Sequence, residues 1–209
     1  AEWTEVERAA AQQPRAPFME NRSRVLPNWF GVLESGTQYD DFRFRRAAFV
    51  RVGQGYGHGH HDTLDLQFYM HGLPMTLDGG QRPGYSTPSD WHSRVHNLVE
   101  VDGRDWSGHS WVTALSDVEG ARYLAAQGEP APGHANVSLF RRQVALIDAD
   151  EGSGYRPLTP KEMTPSFNGL DPAAVTPNSY IVDVFRVEGG KTHTYCFHGP
   201  CYDRLQVNL

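Results

Sequence analysis

From about Val25 onward the apolar residues fall in short runs separated by turn residues, with few positions recurring every three or four. Residues 26–33, Leu-Pro-Asn-Trp-Phe-Gly-Val-Leu, form an extended stretch closed by Ser35-Gly36, and an Arg- and Phe-rich run follows at 42–52. Leu64, Leu66, Phe68 and Met70 alternate with Asp65, Gln67 and Tyr69, the period-two pattern of a half-buried strand. His71 to Pro74 should turn the chain and make 75–77 a hairpin partner. Further strand-like runs occupy 98–101, 110–115, 118–125, 137–147, 180–187 and 192–197, with Asp102-Gly103 and Glu188-Gly189-Gly190 as turn signals. Many short strands with little helix predict an all-β fold, an antiparallel β-sandwich. Residues 2–13 carry a helical pattern that Pro14 and Pro17 would end. The expected organisation is therefore a linker or last helix of a preceding domain over 1–24 and a β-sandwich domain over 25–209. Residues 150–178 contain five prolines and are long for a plain connection, so they read as a functional loop or an insertion.

Composition narrows the classes. The 209 residues carry a formal charge of −6, which argues against a protein built to cover nucleic-acid backbone. No apolar run approaches the roughly 18 residues of a membrane helix, so no membrane span is expected. No signal-peptide pattern opens the sequence. Cys196 and Cys201 are a candidate for a disulfide closing a tight turn, and too few for a disulfide scaffold. Any acidic ligand would need local positive charge; Arg43, Arg45, Arg46 and Arg51 offer it, or else decorate a solvated edge strand.

The chemistry concentrates between Gly55 and Asn97, where six of the ten histidines lie. In an extended backbone His58, His60 and Asp62 share one face, which Leu64 to Met70 continue, so the polar cluster would end an apolar stripe. Imidazoles beside a core suit metal binding, because low solvent competition favours neutral nitrogen and strengthens coordination. The glycines flanking His58 and His60 allow close backbone approach. Asp78 lies at the end of the expected hairpin, and His96 opens the next strand. Spacing alone leaves zinc and iron open; His60-x-Asp62 with a distant His also fits the facial triad of a non-haem iron oxygenase on a β-barrel.

The run His-Gly-His60-x-Asp-x-Leu-x-Leu-x-x-Tyr, then Asp78-x-Gly, His96-Asn97 and Val-Asp-Gly, resembles the heparinase II/III-like domain of polysaccharide lyases, the group of heparin and alginate lyases. Val137 to Arg142, Leu146 to Asp148 and Tyr180 to Gly199 extend the resemblance, which covers about residues 25–205. It implies that His60, Asp78 and His96 hold a divalent metal, usually zinc, whose role is mainly structural. It implies that His58 stands in the active-site cleft, with Tyr85 the candidate for the tyrosine that completes it. The reaction implied is β-elimination at a uronic acid. The C6 carboxylate is neutralised, a base removes the C5 proton, and an acid protonates the departing O4. A tyrosine near a cation can serve as base and then acid, while His58 orients or neutralises the carboxylate. Arg82 and Trp91 are candidates for binding the acidic sugar by charge and stacking, and equally read as a solvated loop arginine and a packed tryptophan.

The resemblance also implies a helical α/α toroid before the sandwich, for which this chain has no room. The expected partners are thus an acidic polysaccharide and a toroid supplied by the rest of a parent protein, in a periplasmic or secreted setting. A non-catalytic, metal-containing glycan-binding or interdomain module of the same ancestry is the alternative.

Overall fold

The computed structural model describes residues 23–36, 45–54, 59–70, 73–76, 91–130, 133–149 and 178–199. Among these residues there is no α-helix. In chain order the strands are β1 (Arg24–Leu26), β2 (Phe30–Ser35), β3 (Arg46–Arg51), β4 (Leu66–Met70), β5 (Leu73–Pro74), β6 (Val99–Val101), β7 (Ser110–Val118), β8 (Ala121–Gly128), β9 (Val137–Ala149), β10 (Asn178–Gly189) and β11 (His193–Tyr195). They form a five-stranded sheet in the order β1-β2-β3-β4-β5, a four-stranded sheet in the order β10-β9-β8-β7, and a ribbon of β11 with β6. Every pairing is antiparallel. The fold is an antiparallel β-sandwich.

The two large sheets pack face to face because each presents an apolar row inward. Leu33, Ala48, Val50 and Leu66 come from one sheet; Leu124, Ala126, Phe140, Val144 and Leu146 come from the other, and all are buried. Trp106 seals one end of this core, fully buried and stacked on Phe140 with ring centroids 3.7 Å apart. The close approach of the sheets requires a glycine at 31: a Cβ there would lie 2.1 Å from Leu124 Cδ1 and 3.0 Å from Val112 Cγ2.

One matched set of polar groups links the two sheets. Asp148 accepts from Ser35 Oγ at 2.5 Å and from Arg46 Nη2 at 3.2 Å, and also pairs with Arg122. Arg46 is only 4% exposed, and β3 lies inside its sheet between β2 and β4. The solvated edge strand expected around Arg46 and Arg51 is therefore not found: Arg46 ties the sheets together, and Arg51 pairs with Asp62, Nε to Oδ2 at 3.3 Å.

Several boundaries differ from the apolar pattern, each for a local reason. The extended stretch 26–33 breaks at Pro27-Asn28-Trp29, where Asn28 adopts φ 64° and Trp29 N–H donates to Leu26 O at 3.0 Å. The run 118–125 contains a turn at Glu119-Gly120, so β7 ends at Val118 and β8 continues to Gly128. The partner of β4 begins at Leu73 rather than Met75, with Met70 opposite Leu73. The turn at Glu188-Gly189-Gly190 occurs as expected, with both glycines at positive φ. The helical pattern at 2–13, the proline-rich segment after Asp150 and Cys201 lie outside the described residues.

Candidate functional site

The site is built where two segments cross: residues 59–65, entering β4, and a strap of residues 91–98, entering β6. Neither segment is a regular strand, so each is held by specific bonds. His61 N–H donates to Trp91 O at 2.9 Å, and His61 O accepts from Ser93 Oγ at 2.8 Å. Residue 61 is thereby pinned on both sides to the strap. A 3-10 turn, Ser93–Val95, then delivers His96, whose N–H donates to Ser93 O at 3.1 Å.

This crossing brings His60 and His96 together, with ring centroids 5.2 Å apart and planes inclined at 38°. His96 is fully buried. Asn97 fixes its backbone from several directions. The Asn97 N–H donates to Asp65 Oδ1 at 2.6 Å, and its carbonyl accepts from Leu66 N–H at 3.1 Å and from the buried Arg142 Nη1. Its side-chain oxygen accepts from His198 N–H at 2.5 Å. The His-Asn pair recognised in the sequence thus has divided duties: His96 supplies the imidazole, and Asn97 locks it in place.

Two imidazoles on one tetrahedral ion, at a metal–nitrogen distance of about 2.0–2.1 Å, have ring centres about 5 Å apart. The His60–His96 pair meets that requirement, and burial of His96 keeps competing water away. The third expected ligand, Asp78, lies outside the described residues, as do His58, Arg82 and Tyr85. Among the described residues no three His, Cys, Asp or Glu side chains group closely enough to hold one ion. The facial triad of His60, Asp62 and His96 is therefore not assembled, and the Asp62 carboxylate faces Arg51 instead.

The single-face geometry expected for His60, Asp62 and Leu64 also fails. Residues 62–65 form a turn, with Asp65 N–H donating to Asp62 O at 2.9 Å and Leu64 at φ 63°. The turn interrupts the alternation, so the apolar stripe starts anew at Leu66. Trp91 stands at the head of the strap, 39% exposed, with its carbonyl engaged by His61.

One pair was missed by the sequence reading. His92 Nδ1 lies 2.6 Å from Asp105 Oδ2, and Asp105 Oδ1 accepts from Ser93 N–H at 2.8 Å. Burial alone would raise the Asp105 carboxyl. The hydrogen bonds from His92 and Ser93, with the fields of His92 and His61, outweigh it and hold the group below its ordinary value. The only signal in the sequence was the density of histidines, since Asp105 comes after the Asp102-Gly103 turn with no motif to mark it.

No protein-family model matches the sequence, and no curated protein matches it. Solved structures do. A mutant of heparan sulfate lyase HepC from Pedobacter heparinus superposes with a TM-score of 0.51 at 15% identity, over 70% of this chain and 27% of that one. The heparinase III product BT4657 superposes with a TM-score of 0.51 at 12% identity, over 87% of this chain and 35% of that one. The chain shares its fold with heparan sulfate lyases. At these identities the likeness is one of fold, and the chain spans about a third or less of the length of these two structures. No helix among the described residues is long and apolar enough to cross a membrane.

Proposed function

We propose that this chain is the β-sandwich portion of a polysaccharide lyase that cleaves uronic-acid-containing polysaccharide by β-elimination. The observation that carries this reading is the pairing of His60 with the buried His96, set within a sandwich of the heparan sulfate lyase fold. His60, Asp78 and His96 hold a divalent metal, zinc by preference, which braces the crossing of the two segments when bound. His58 neutralises the substrate carboxylate, Tyr85 acts as the base at C5, and Arg82 and Trp91 bind the acidic sugar. A helical toroid from the remainder of the parent protein completes the cleft, so catalysis belongs to the whole. A polymeric uronate substrate places the protein in the periplasm or outside the cell.

The test is incubation of the parent protein with alginate and with heparan sulfate. The expected result is a rise in ultraviolet absorbance from the conjugated C4=C5 uronate product, with zinc bound in the purified protein. Binding of either polymer with no unsaturated product would favour a non-catalytic glycan-binding module. Absence of both binding and product on every uronate polymer would end the lyase reading.

A further inference from the structure

The strap carries two histidines with opposite surroundings. His96 turns inward to His60, whereas His92 keeps 45% of its side chain exposed while Nδ1 meets Asp105. The carboxylate cannot swing away, because its second oxygen holds Ser93 N–H. Ser93 Oγ in turn donates to His61 O and accepts from Trp106 N–H, both at 2.8 Å. The His92–Asp105 pair is thus anchored both to the residue beside His60 and to the buried Trp106. A carboxylate on Nδ1 sets the orientation of an imidazole and leaves Nε2 as the ring nitrogen free to exchange a proton with a ligand. In the proposed function Tyr85 takes the base step at C5, and the protonation of O4 is left unassigned.

We propose that His92, oriented by Asp105, is the general acid that protonates the departing O4 of the uronate. The inference rests on the lyase reading and adds the leaving-group acid to it. As the base removes the C5 proton, the C5–H electrons form the C4=C5 double bond. The C4–O4 bond breaks with its electron pair on oxygen. The Nε2 proton of His92 passes to O4, and solvent reprotonates the imidazole. Asp105 touches no substrate in this scheme and is a positioning residue.

The experiment compares the parent protein with His92→Gln and Asp105→Asn on two substrates: an alginate oligosaccharide, and a synthetic uronide carrying 4-nitrophenol at O4. The aryl leaving group departs without protonation. On the oligosaccharide, His92→Gln should lower kcat by about a hundredfold, as loss of a general acid does, with KM and zinc content little changed. Asp105→Asn should lower kcat in the same direction by a smaller factor. On the nitrophenyl substrate both variants should recover to near the wild-type rate. Equal losses on both substrates, or no loss on either, would overturn the assignment of His92. If the unmodified parent protein eliminates neither substrate, the lyase reading fails and this inference fails with it.

Discussion

Arg142 and Asp183 form a two-point ion pair across β9 and β10, Nε to Oδ1 at 2.8 Å and Nη2 to Oδ2 at 2.7 Å, with the guanidinium fully buried. The remaining nitrogen reaches Leu64 O at 2.7 Å and Asn97 O, so the same cation that joins two strands also steadies both segments of the candidate site. Arg142 and Asp65 hold opposite ends of Asn97, one at its carbonyl and one at its N–H.

Asp183→Asn leaves the buried guanidinium uncompensated, and Arg142→Met takes the donor from Leu64 O and Asn97 O and the partner from Asp183. Asp183→Asn and Arg142→Met should each cost about 3–5 kcal/mol in urea unfolding, and the double variant less than their sum. A strictly additive double variant would show that the two groups act separately.

Tyr195 OH donates to Asp183 Oδ2 at 2.7 Å and accepts from Arg142 Nη2 at 3.2 Å. Burial, followed by the bond to Asp183, pushes this phenol from 10.0 up to about 12. The folded state therefore keeps its proton where the unfolded chain has lost it. The stabilisation is complete below pH 10 and disappears as pH rises towards 12. Tyr195→Phe should flatten that alkaline limb of the stability curve, measured by denaturant melts across the range.

Asp148 titrates with the opposite sign. Burial raises it, but the hydrogen bonds from Ser35 and Arg122 and the charges of Arg122 and Arg46 prevail and hold it below 3.8. Its contribution is full above that ordinary value and is lost as pH falls below it. Asp148→Asn should cost about 2 kcal/mol at neutral pH and weaken the acid dependence of unfolding. An unchanged acid limb would place the effect in other carboxylates.

If the proposed metal braces the His60–His96 crossing, zinc at a hundredfold excess over its Kd should stabilise the protein by about 2.7 kcal/mol. Chelation should remove that gain, and His96→Ala should abolish the response to zinc. Loss of turnover in His96→Ala with an unchanged melting temperature would contradict a structural role for the metal.

Gly53 tests how the chain is led into the histidine segment. Its φ of 95° is open to glycine, and a Cβ would lie 2.4 Å from the Asn28 carbonyl oxygen. It also exchanges both backbone hydrogen bonds with Ser110, at 2.7 and 3.2 Å, which fixes the entry from β3 against β7. Gly53→Ala should destabilise by about 1–3 kcal/mol in thermal or urea unfolding.

What the sequence determined by itself is the set of relations carried by neighbouring residues. Alternation of apolar and polar side chains located most of the strands, and Gly189-Gly190 and Asp102-Gly103 located turns, because positive φ and period-two burial are written locally. The crowding of histidines between His58 and His96 was equally visible. The tertiary structure decided which of those groups meet. His60 faces His96 because a 3-10 turn and the two bonds at His61 cross the segments. Asp62 is diverted to Arg51 by a turn that no periodicity announces, and Arg46 is buried because β3 has neighbours on both sides. Asp105 reaches His92 only after the chain has turned back on itself. Strand order, register and these long-range bonds depend on how the sheets pack, and packing joins residues far apart in the chain.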